Sequence, residues 1–125
     1  MKARVYPKRG FVYKVILNYP EESSAPNEKH MVVVMQSNEM LKHTREVNVL
    51  EITSNLDSIN ACYNVSLPSL TIGDHQLLNS KIKCHFLYGI KKENLLNGEY
   101  CGQIPSDIMK KINDAIIFSL GLSED

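Results

Sequence analysis

The stretch that decides the fold is KHMVVVMQSNEMLKHTREVNVLEITS, residues 29–54. Met31, Val32, Val33, Val34 and Met35 are five consecutive apolar residues with a β-branched centre. The run is too short for an isolated helix and predicts a core strand. Val47, Val49, Leu50 and Ile52 give a second β-rich run, ended by Thr53, Ser54 and Asn55, side chains that favour a strand end or turn. The two runs predict a returning pair of strands with His30 and Thr53 as polar groups at its ends. Any chemistry is expected there.

Outward from this pair, the N-terminal side carries a third strand. Residues 1–8 hold three basic side chains and Pro7 and predict a loosely held arm. Residues 10–17 alternate, with Phe11, Tyr13, Val15 and Leu17 on one face and Val12, Lys14 and Ile16 on the other. Residues 19–29 carry two prolines, two serines and no periodicity, which predicts a long loop of the kind that is often functional. After the first returning strand, residues 38–42 predict a short helical piece.

On the C-terminal side, residues 61–67 alternate as a half-buried strand that Pro68 ends. Residues 69–80 read as a connection turning at Gly73 and Asp74. Over residues 81–88, Ile82, Cys84, Phe86 and Tyr88 are expected to face one way, with Lys81, Lys83 and His85 as a cationic row on the other. Residues 91–96 predict a helical turn stopped by Asn97 and Gly98, and residues 99–103 a last short strand. Ile108, Met109, Ile112, Ala115, Ile116, Ser119 and Leu120 then fall at helical spacing, with Pro105, Ser106 and Asp107 as start signals and Gly121 after the end. Many short strands and one packed terminal helix predict a mainly β chain, a small bent antiparallel sheet or open barrel.

The chain has 125 residues, enough for one domain with its own core. Fourteen Lys and Arg balance fourteen Asp and Glu, so nucleic-acid contact has to come from a local patch. No apolar run approaches the length of a membrane span and no signal peptide is read, which predicts a cytoplasmic protein. The three cysteines, Cys62, Cys84 and Cys101, lack paired zinc-site spacing and read as reduced core thiols. No structural metal and no cofactor is expected. His43 and His75 read as solvated residues.

The order of these pieces resembles the MazF/PemK family of bacterial toxins. The resemblance rests on RGFVYKVIL at residues 9–17, HMVVVMQSN at 30–38, VLEITSN at 49–55 and IPSDIMKKINDAIIFSLGL at 104–122. It implies an SH3-like barrel that forms a homodimer, cuts single-stranded RNA without a metal and is silenced by a cognate antitoxin; DNA would be reached only through that antitoxin. The family's threonine is matched by Thr53. Where members carry Arg-Pro before the second strand, this chain has His30 and Met31. An Arg-Cys-Asp-Gln pattern becomes Lys83, Cys84, His85 and Phe86, and a downstream Arg-Thr-Ile-Asp becomes Tyr88, Gly89, Ile90 and Lys91.

RNA cleavage through the 2′-hydroxyl needs a proton acceptor, a proton donor and cations for the phosphorane charge. His30 and His85 are the expected proton-transfer pair, Thr53 a hydrogen-bond donor and Lys83 the cation, with Arg9, Lys29 and Lys81 as further RNA contacts. A lone exposed histidine is ordinarily just solvated; position within the resemblance is what singles these two out. A rival reading keeps the fold and discards the catalysis, either as a degenerate toxin or as a gyrase-binding CcdB-like protein.

Overall fold

The computed structural model describes residues 5–16, 29–57, 59–61, 63–68, 70–72, 75–77 and 79–122, with backbone alone for 70–72 and 75–77. In chain order the elements are β1 (Phe11–Ile16), β2 (Lys29–Val34), α1 (Asn38–Leu41), β3 (Glu46–Thr53), β4 (Asn64–Leu67), β5 (Leu70–Ile72) and β6 (His75–Leu77). They continue as β7 (Ser80–Lys83), β8 (Tyr88–Lys91), α2 (Lys92–Leu96), β9 (Glu99–Gln103) and α3 (Ser106–Ser119). One curled antiparallel sheet runs β4-β7-β3-β2-β1-β9, with β8 also paired to β3, and β5 and β6 form a separate hairpin. The expected mainly β architecture with a terminal helix is what the chain adopts.

The sheet is apolar on both faces, which is why β2 reads as an unbroken run rather than an alternation. Val12, Val33, Leu50, Ile52, Val65, Leu67 and Ile82 form one core with Ile108, Ile112 and Ala115 of α3. Tyr13, Val15, Val32, Val34, Val47 and Val49 form the other, covered by Leu41 of α1 and Leu95 of α2. Neighbouring residues along β2 and β3 thus serve opposite cores. Gly10, at φ 92°, turns the chain into β1 while its amide donates to Val34 O at 2.8 Å and its carbonyl accepts from Ile104 N at 3.0 Å.

Several expectations change. The strand expected over residues 81–88 is two strands, because β7 pairs with the end of β3 (Thr53 opposite Lys81) while β8 pairs with its beginning (Val49 opposite Tyr88). Between them the chain turns out of the sheet. The alternation therefore holds for buried Ile82 and Cys84 and fails at Phe86, which is 49% exposed. The strand expected from residue 61 begins at Asn64, after a turn closed by Asn64 N donating to Ala61 O. The connection expected over 69–80 contains β5 and β6.

The described part of the N-terminal arm is fastened rather than loose. Pro7 is buried, Tyr13 Oη donates to Val5 O at 2.8 Å and Tyr6 Oη donates to Leu41 O at 3.2 Å. On α3, Ile116 is only partly buried, and Leu120, expected on the packed face, is exposed. The loop expected at 19–29 lies outside the described residues except for Lys29, which opens β2. Cys84 and Cys101 are buried free thiols, and Cys62 is outside the described residues. Burial pushes the Cys84 thiol up to about 12. No helix among the described residues is long and apolar enough to cross a membrane.

Candidate active site

Residues directly opposite in an antiparallel pair share a sheet face. Val15 lies opposite His30, Val32 opposite Glu51 and Thr53 opposite Lys81. Val15 and Val32 belong to the second core, so His30, Glu51, Thr53, Lys81 and Lys83 continue that same face beyond its apolar part, on the side of the sheet away from α3. Along β3 the face reads Val47, Val49, Glu51, Thr53. Apolar cover gives way to polar groups within one strand.

Glu51 is the centre of this polar end. His30 Nδ1 lies 2.7 Å from Glu51 Oε2, and Lys83 Nζ donates to Glu51 Oε1 at 3.2 Å. The carboxylate is nearly buried, whereas His30 and Lys83 retain part of their exposure. Three strands contribute one member each, β2 His30, β3 Glu51 and β7 Lys83. An imidazole that donates from Nδ1 turns its Nε2 away from the carboxylate, so this contact fixes the ring's orientation. The residues sequence reading missed come down to Glu51. Its signal was present as a carboxylate between Leu50 and Ile52 inside a core strand, where an ionised group needs partners.

Thr53 stands at the strand end. Its Oγ1 accepts from Asn55 N at 3.2 Å, and Asn55 Oδ1 accepts from Asp57 N at 2.9 Å. A hydroxyl that accepts from an amide keeps its own hydrogen as a donor. Lys81, opposite Thr53, is buried, and its ammonium donates to the Asp57 carbonyl. The expected cationic row is thus resolved into two differently engaged lysines and a histidine beyond the strand. His85 sits exposed in the turn after β7 with its ring 4.3 Å from that of Tyr63. Its pKa is lowered from 6.5, first by partial burial, then by the charges of Lys83 and Lys81. At neutral pH the ring is therefore neutral.

The other two expected cations lie apart from this cluster. Arg9 donates to Met35 O at 3.3 Å and to Asn113 Oδ1 at 2.6 Å, tying the far end of β2 to α3. Met35 is five residues from His30, about 17 Å of extended chain at about 3.4 Å per residue. Lys29 lines a cleft of about 300 Å³ with Lys14, Asn94, Asn97 and Glu99, between β1 and α2. No group of three potential metal-ligating side chains occurs among the described residues.

Residues 8–120 match the family of PemK-like, MazF-like toxins of type II toxin-antitoxin systems. No curated protein matches the chain by sequence. Among solved structures, an endoribonuclease in complex with its cognate antitoxin from a mycobacterial species is 24% identical, with 93% of this chain and 96% of that chain covered at a TM-score of 0.73. The Mycobacterium tuberculosis toxin MazF-mt6 is 16% identical, with 89% and 96% covered at 0.67. The MazE-MazF structure (Form-II) from Deinococcus radiodurans is 13% identical, with 94% and 97% covered at 0.71. These similarities establish the fold, and the match over nearly the whole length decides the family: the chain belongs to the PemK-like, MazF-like toxins of type II toxin-antitoxin systems.

Proposed function

We propose that the protein is an endoribonuclease toxin that cuts single-stranded RNA by in-line attack of the RNA's own 2′-hydroxyl. The observation that carries this reading is the convergence of His30 and Lys83 on Glu51, with Thr53 on the same strand face. Structurally similar proteins described as endoribonucleases support it, as does the family itself.

In the proposed reaction, His85, neutral at pH 7, accepts the 2′-hydroxyl proton while O2′ attacks phosphorus. The bond from phosphorus to O5′ breaks, and the leaving oxygen takes a proton from protonated His30. Lys83 and the Thr53 hydroxyl stabilise the charge on the non-bridging oxygens. Glu51 is a positioning residue: it holds the His30 ring through Nδ1, so that Nε2–H is the proton offered to the leaving oxygen, and it keeps Lys83 beside it. The products are a 2′,3′-cyclic phosphate and a 5′-hydroxyl, and no step requires a metal ion. Lys29 is assigned to the wider RNA-binding surface; Lys81, buried on the Asp57 carbonyl, and Arg9, held between Met35 and Asn113, serve the fold instead. The active toxin is a homodimer, held silent by an antitoxin that covers the polar end of β3.

Purified protein free of antitoxin, incubated with mixed RNA in excess chelator, is expected to leave cyclic-phosphate ends. An RNA with 2′-deoxyribose at the cleavage position should stay intact. RNA uncut from pH 5 to 9 overturns the reading in favour of a toxin that acts by binding protein.

A further inference from the structure

The turn between β7 and β8 is built from an unusual residue type. Turns favour Gly, Asn, Asp, Ser and Pro, yet residues 84–87 are Cys, His, Phe and Leu. Phe86 is 49% exposed and Leu87 37%. Phe86 is also not isolated. Its ring centroid lies 4.5 Å from that of Tyr88 and 6.4 Å from that of His85, which in turn lies 4.3 Å from Tyr63. Four rings drawn from β8, the turn and the residue before β4 make one continuous row.

Single exposed apolar residues need no explanation, but this row lies beside charge. Its second ring, His85, lies close enough to Lys83 and Lys81 to feel their charges, and its last, Tyr88, lies opposite Val49, two residues along β3 from Glu51. Cations beside the row and flat π-surfaces along it match a nucleotide, whose phosphate and base need those two things side by side. A row of rings at a turn offers less to a peptide helix, whose aliphatic anchors seek a groove.

We propose that Tyr63, Phe86 and Tyr88, joined through His85, are a stacking platform for unpaired bases of the RNA next to the cleaved bond. The assignment rests on the ribonuclease reading and specifies its substrate: a flexible single strand whose bases can be turned out onto the rings. A duplex, with its bases stacked inside, cannot use the platform. Stacking accepts every base, so the platform supplies affinity with little sequence preference.

The test is the affinity of the full protein for a short, mixed-sequence 2′-O-methyl oligonucleotide, which cannot be cut. Phe86→Ala is expected to weaken binding roughly 5- to 150-fold, the range for one lost base stack. Phe86→Leu, which keeps apolar bulk, should lose about as much, whereas Phe86→Trp should bind at least as well as the parent. Replacing the bases by abasic sites should weaken parental binding and abolish the difference between parent and Phe86→Ala. With cleavable RNA the loss should fall on KM.

Equal affinity of parent, Ala and Leu variants overturns the platform, as does an unchanged difference on the abasic strand. So does loss of antitoxin binding by Phe86→Ala with oligonucleotide affinity intact, which would give the rings to a protein partner. Failure of the ribonuclease reading looks different: the parent binds the oligonucleotide through Phe86 and leaves RNA uncut. RNA cut equally well by parent and Phe86→Ala, with equal KM, removes the platform alone.

Discussion

The two faces of β3 are made of alternate residues of one strand and end differently. Leu50 and Ile52 lie in a core that Val65, Leu67 and Ile82 extend at the strand's end and that Ile112 of α3 helps to cover. Val47 and Val49 begin an equally apolar face, but its cover, Leu41 and Leu95, reaches only that part. Two residues further on, the positions hold Glu51 and Thr53. On one side the apolar cover is complete, and on the other it stops short and leaves a polar cluster anchored to a rigid strand. A site of this kind needs no dedicated loop; it needs strands that continue past their covering helices.

Deleting proton transfer is the strongest way to test that division. His30→Ala and His85→Ala should each slow RNA cleavage about 10²- to 10⁴-fold, the usual range for a positioned acid or base. Neither should move the thermal melt much, since His85 is exposed and Glu51 keeps Lys83 when His30 is lost. Cleavage at the parental rate by both variants removes the pair from the mechanism.

The next effect separates stability from chemistry. Ile112, fully buried under the sheet, should cost about 2 to 5 kcal/mol when cut to Ala, read from denaturant melts. Glu51→Leu should stay within about 1 kcal/mol of the parent in either direction, because the two groups it leaves, His30 and Lys83, are partly exposed and can turn to water. Its cleavage rate should nevertheless fall sharply. A Glu51→Leu protein that unfolds as readily as Ile112→Ala would mean that the polar end of β3 is structural.

Much of the α3 side was legible in the sequence because it obeys periodicity. Ile108, Ile112 and Ala115 at helical spacing are all buried. Both β2 and β3 could be read from apolar runs. The site side was legible only in part, since its meaning lies in contacts across strands. Glu51 looks like one more polar residue of an alternating strand until β2 and β7 bring in His30 and Lys83, which lie 21 and 32 residues away. The run over residues 81–88 keeps a two-residue period through a turn that has no Gly, Pro, Asn or Asp to mark it. What breaks it is tertiary, the pairing of β7 and β8 with opposite ends of β3. Lys81 and Lys83 look equivalent in sequence, yet one ammonium is spent on the Asp57 carbonyl and the other on a carboxylate.

The smallest effect is a shift in pH dependence, and it tests whether the polar end works as a unit. His85 accepts a proton in the proposed reaction, so it must start neutral, and the rate rises with pH through its pKa. That pKa lies below 6.5, held down by partial burial, then by Lys83, then by Lys81. The acidic limb of the parental rate profile should therefore fall below pH 6.5. Lys83→Gln removes a positive charge that opposes protonation of the ring, so the limb should move upward, toward the ordinary histidine value. Lys81→Gln should move it the same way and less, as the weaker of the two charges. The His85 imidazole can be followed by NMR titration without RNA, which frees the measurement from the loss of RNA affinity that Lys83→Gln should also cause. A limb that stays in place in both lysine variants, while the NMR titration of His85 moves, would show that another group is the base. A titration that does not move either would place His85 outside the reach of Lys83 and separate the turn from the Glu51 cluster.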